Sequence, residues 1–153
     1  MKTKHRLALA LGLALLSTTL LASAAAAQGR SPADARLVES HRLTMPMLRK
    51  VLPALYAPGS QSCPRDTRDP RTLSLADMTQ MIDRCAPMAQ ALRRAAVPSR
   101  EAALVLASLY RTAEAVALRS GDVNAVNPGA LRDNALLMQQ NDAEIKRLTG
   151  ETR

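Results

Sequence analysis

The most apolar stretch downstream of the N-terminus runs from Ser99 to Gly121, SREAALVLASLYRTAEAVALRSG. Ala102, Ala103, Leu104, Val105, Leu106, Ala107, Leu109 and Tyr110 wrap nearly the whole circumference of a helix, and such a helix is expected to be buried on most sides. Its second half narrows to Ala113, Val116, Ala117 and Leu118, with Arg111, Glu114 and Arg119 toward water. Gly121 offers the left-handed stop. This stretch is the expected central helix, at about 99–120.

Shorter amphipathic stretches lie on both sides of it. Ser31-Pro32-Ala33-Asp34 combines an N-cap, a first-turn proline and an acid at the capping-box position, for a helix that fades near Leu43. Thr44 caps the next helix, with Leu43 and Leu48 at the hydrophobic-staple positions. Leu48, Val51, Leu52 and Leu55 then share one face, and Pro53 is expected to kink or end the helix. Ser74 and Asp77 form a capping box, Leu73 and Met78 a second staple. The inward stripe there is Leu75, Met78, Ile82 and Cys85, with Met81 adjacent. Pro87 pushes Ala86 out of helical geometry and restarts the chain as a short helix to Ala95. Asn127-Pro128 reads as N-cap and first residue of the last helix, whose stripe is Leu131, Asn134, Met138, Asn141, Ile145 and Leu148.

Between these helices, Ala57 to Thr72 (APGSQSCPRDTRDPRT) has no periodic apolar face and reads as a long loop. Composition agrees with helices throughout. Phe and Trp are absent, Tyr56 and Tyr110 are the only aromatics, and the core must be built from Leu, Ala, Val, Met and Ile. The expected fold is all-α, a single domain over 28–153, bundling four to five helices around the central one.

Residues 1–27 have the form of a secretory signal. Lys2, Lys4, His5 and Arg6 precede the uncharged run Leu7–Leu21, and small residues follow to Ala25-Ala26-Ala27. That run is short for a membrane span, so cleavage near Ala27 and a periplasmic or secreted product without a stable membrane anchor are expected, an uncleaved anchor being the competing reading. The net charge of +8 falls to +5 in a product starting at Gln28, with 18 basic and 13 acidic residues. The surplus sits in residues 28–100, a face suited to anionic lipid or an acidic partner, or simply a solvated surface.

In an oxidising compartment the two cysteines, Cys63 and Cys85, are expected to pair. Closing a loop of that size is worth about 3.4 kcal/mol in the chain-entropy description. A redox-active or metal-binding pair is the alternative, without the Cys-x-x-Cys spacing that supports it. Two asparagines, Asn134 and Asn141, stand on the last helix's apolar stripe, where a buried amide needs partners. They either bond backbone and fix helix register or line a ligand or partner pocket. His41, Met45 and Met47 fall within seven residues and form a candidate soft-metal set, suited to Cu(I). Met78, Met81 and Met88 read as core filler in a chain without Phe. A lone histidine after the leader and scattered carboxylates give no catalytic constellation, and no cofactor is implied. Export and scarce aromatics argue against nucleic acid.

Leu43-Thr44-Met45, the Pro98–Glu101 helix start, Pro128 to Asn134, and the closing Glu144, Ile145 and Leu148 together resemble a loose group of small exported helical proteins of Gram-negative bacteria. The Cys63/Cys85 pair departs from that pattern. The resemblance implies one helical domain and no particular activity. Two functions are therefore expected. One is a non-enzymatic interaction or accessory module, chaperone-like, meeting another periplasmic protein. The other is a carrier of a small ligand or of copper in the space between helices.

Overall fold

The computed structural model describes residues 30–64 and 66–151, so the leader expected at 1–27 lies outside the described residues. Among the described residues the chain is all-helical: α1 (Pro32–Ser40), α2 (Met45–Leu55), α3 (Leu75–Arg84), α4 (Ala86–Arg94), α5 (Ser99–Ala117), α6 (Ala130–Gln140) and α7 (Asp142–Thr149). Three short 3-10 turns, Ser60–Ser62, Pro70–Thr72 and Val123–Ala125, shape the connections.

The α5 helix packs against α1, α2, α3, α4 and α6, which is what its apolar circumference requires. Ala102, Ala103, Val105 and Ala107 are fully buried, and these small side chains let neighbouring backbones approach. Its second half departs from the expected pattern. Ala113, Ala117 and Leu118 are exposed, Leu118 by 73%, while the inward positions belong to Ser108 and Thr112. The hydroxyl of Ser108 donates to the carbonyl of Leu104, a helical turn back. Arg111 bridges Glu39 of α1 at 2.8 Å and Glu114 at 3.0 Å, so it serves the α1–α5 contact rather than open water.

Local capping explains most helix starts. Ser31 accepts from the Asp34 amide, Thr44 from the Met47 amide, and Ser74 with Asp77 completes the reciprocal capping box. Asp34 itself does something else: its carboxylate accepts the backbone amide of Leu75, docking α1 on the first residue of α3. The positive end of the α3 dipole favours an acid there.

Several boundaries differ from expectation. The α2 helix runs two residues past Pro53, because the last turn survives one missing donor. Cys85, not Ala86, is the extended residue between α3 and α4, with Pro87 accommodated in the first turn of α4. The last helix starts at Ala130 with Gly129 as N-cap, so Asn127-Pro128 belongs to the turn before it. It also breaks at Asn141. With that break the described residues hold seven helices, where a bundle of four to five was expected. Residues 57–72, expected as a featureless loop, hold two 3-10 turns, and the aspartates Asp66 and Asp69 pair with Arg68 and Arg71.

At two helix ends a residue other than glycine takes the left-handed conformation, Ala96 (φ 54°) and Ser120 (φ 53°). After Ala96, the Val97 amide reaches back to the Leu92 carbonyl and both side chains are buried, the pattern of a Schellman stop. Among the described residues no helix is long and apolar enough to cross a membrane.

Candidate functional site

The two asparagines singled out by spacing part company. Asn134 is 1% exposed. Its Oδ1 accepts from the Leu43 amide at 2.8 Å and its Nδ2 donates to the His41 carbonyl at 2.9 Å. One side chain on α6 thus satisfies the backbone of the turn between α1 and α2, where neither helix ladder can reach. Asn141 is half-buried and its Nδ2 donates to Leu137 of its own helix at 2.8 Å. Both amides are occupied with architecture.

His41 follows the last residue of α1, where its carbonyl meets Asn134. Its Nε2 is buried without a partner, and desolvation, opposed by Glu101, holds its imidazole below the ordinary range. Met45 and Met47 are half-buried and pack against the main hydrophobic core. The structure therefore brings Asn134 to His41, and engages Met45 and Met47 in packing. Among the described residues, no group of three or more His, Cys, Asp or Glu side chains is placed to hold a metal ion.

A cavity of about 540 Å³ lies elsewhere, beneath the 57–72 loop. That volume falls within the usual range of small-molecule sites, roughly 300–1,000 Å³. None of Asn134, Asn141, His41, Met45 or Met47 lines it. Its floor is Met78 and Ile82 of α3, its sides Leu55 of α2, Met88 of α4 and Leu106 of α5. Met81 and Leu73 complete the apolar wall. The facing wall is the loop itself, through Ser60, Gln61, Pro64, Asp66 and Pro70. Tyr56 and Tyr110, all the aromatic side chains of the chain, both border the cavity.

The loop stays over this cavity because it is tied there. Cys63 and Cys85 form a disulfide across 22 residues of sequence, and both cysteines line the cavity. Cys85 is 2% exposed at the α3–α4 junction, so the bond joins the loop to the core rather than to another surface segment. The turn at Ser60–Ser62 rests on α4 and the turn at Pro70–Thr72 on α5, giving the loop three anchors.

The electrostatics at the loop wall are closed on themselves. Both carboxylate oxygens of Asp66 accept from Arg68, Oδ1 from the backbone amide at 2.9 Å and Oδ2 from Nη2 at 2.6 Å. This pairing lowers the Asp66 pKa to about 2. Tyr56 borders the cavity, and burial, then Tyr110 and Glu151, raise its phenol above the ordinary value. With its phenol raised, Tyr56 stays protonated at neutral pH and keeps a hydroxyl to donate.

The chemistry this arrangement supports is binding. It is a half-open cleft with a largely apolar wall, two tyrosines at its border, and Ser60 and Gln61 on the loop side. The sequence signal that could have found it was the position of the two tyrosines, since nothing else in the aromatic class is present. Met78 is the core residue that its spacing implied, fully buried, whereas Met81 and Met88 are half-buried at the cavity wall. Comparison with protein-family models, curated proteins and solved structures returns no match for this chain.

Proposed function

We propose that this chain is an exported, non-enzymatic binding protein that holds a small apolar ligand between the disulfide-tied loop and α3, α4 and α5. The single observation that carries this reading is the 540 Å³ cavity bordered by both tyrosines and walled by the Cys63–Cys85 loop. The disulfide also supports the oxidising compartment that the leader implies. Of the two expected functions, the carrier gains more support than the interaction module. Among the described residues the exposed large apolar side chains are Leu37 in α1, Tyr56 just after α2 and Leu118 just after α5, a pattern that needs no docking partner to explain it.

A cavity-filling experiment tests the proposal. The fluorescence of N-phenyl-1-naphthylamine is followed on titration with the protein, and with the variants Leu106→Trp and Met88→Trp, each of which places an indole in the cavity. Folding is checked by circular dichroism. Saturable binding by the parent and at least tenfold weaker binding by a folded variant are expected. Equal affinity in both folded variants would show that the dye sits elsewhere and remove the proposal.

A further inference from the structure

Building on the binding function proposed above, we infer that the cavity selects an uncharged aromatic molecule, of one or two rings, over an aliphatic chain or a charged ring of similar size.

Three observations lead there. The first is the wall: half-buried Met81 and Met88 line the same space as Tyr56 and Tyr110, with fully buried Met78 packed behind them. Sulfur–aromatic and ring–ring contacts both add attraction beyond the burial of area, and an alkyl chain collects neither. A ring system also has few rotatable bonds to freeze, whereas a flexible chain of equal area loses conformational freedom on binding.

The second is the absence of any fixed aromatic filling. The chain has no Phe and no Trp, and its core is built from Leu, Val, Ile, Met and Ala. Unbranched methionines adapt their shape to whatever enters, so an inserted ring can be accommodated without overpacking.

The third is charge. Among the described residues lining the cavity, Asp66 is the single formally charged side chain. Arg68 already engages both of its oxygens. A charged ligand would lose hydration on entering, and among the described lining residues none besides Asp66 carries a charge to offset that loss. Ser60, Gln61 and the tyrosine hydroxyls instead offer partners for one neutral polar group, such as a hydroxyl or a ring N–H.

Isothermal titration of the full disulfide-bonded protein with 2-naphthol, 1-naphthoate and 1-decanol at pH 7 tests the selectivity. The expected result is that 2-naphthol binds at least fivefold tighter than either competitor. In the double variant Met81→Leu/Met88→Leu, which preserves apolar volume, its advantage over 1-decanol should shrink to within twofold while 1-decanol binds as before. Equal or tighter binding of 1-decanol or 1-naphthoate to the parent overturns the aromatic selectivity and leaves the binding function standing. No binding of any of the three overturns both. An undiminished naphthol advantage in the double variant overturns the role given to the thioethers.

Discussion

At the scale of single residues, the decisive side chain for the fold is Asn134. It is polar, fully buried, and satisfies two backbone groups more than 90 positions away in sequence. Replacing it with Leu keeps the volume but strands the Leu43 amide and the His41 carbonyl without water. Each stranded group costs about 1–3 kcal/mol, so Asn134→Leu should lose about 3 kcal/mol of unfolding free energy in a urea titration. A neutral or stabilising substitution would mean that the turn between α1 and α2 finds other partners. Spacing placed Asn134 on the apolar stripe but left its burial open, and the structure buries it. Spacing could not name its partners, because a hydrogen bond to another element's backbone leaves no trace in side-chain periodicity.

The same limit applies at the scale of elements. Helix starts were legible where one side chain closes on a nearby amide, as at Ser31, Thr44 and Ser74, because the whole interaction lies within four residues. The break at Asn141 was not legible. The stripe continues in phase from Met138 to Ile145, yet Asn141 turns to φ −120°, and α7 leaves α5 to pack on α2. Arg49 then holds Glu144 by two hydrogen bonds, of 2.7 and 3.1 Å. The element on which the proposed function depends is the 57–72 loop. Its cysteine tie was expected from compartment and pairing, but the space beneath it was not, since its lining comes from the loop and from four helices separated in sequence. Reduction of the disulfide, or the double variant Cys63→Ser/Cys85→Ser, should lower stability by about 3 kcal/mol. Far-UV circular dichroism should change little, while N-phenyl-1-naphthylamine affinity falls at least tenfold as the loop wall loosens. Unaltered dye binding after complete reduction would show that the turns at Ser60–Ser62 and Pro70–Thr72 hold the loop unaided.

Over the whole molecule, α5 is scaffold. Its buried Ala102, Ala103 and Ala107 let neighbours approach closely, while Leu106 and Tyr110 of the same helix line the cavity. The all-α class followed from composition, because a chain without Phe or Trp and poor in β-branched residues has little strand material. The location of the site did not follow, since polar residues on an apolar stripe drew attention to α6 while methionines that looked like filler formed the cavity wall. The most direct measurement is therefore a titration of the protein, labelled with ¹³C at its methionine methyl groups, with N-phenyl-1-naphthylamine, read by NMR. The methyl resonances of Met78, Met81 and Met88 should shift in a saturable way while those of Met45, Met47 and Met138 stay in place. Shifts confined to Met45, Met47 or Met138, or no saturable shift at all, would contradict the assignment of the cavity as the ligand site.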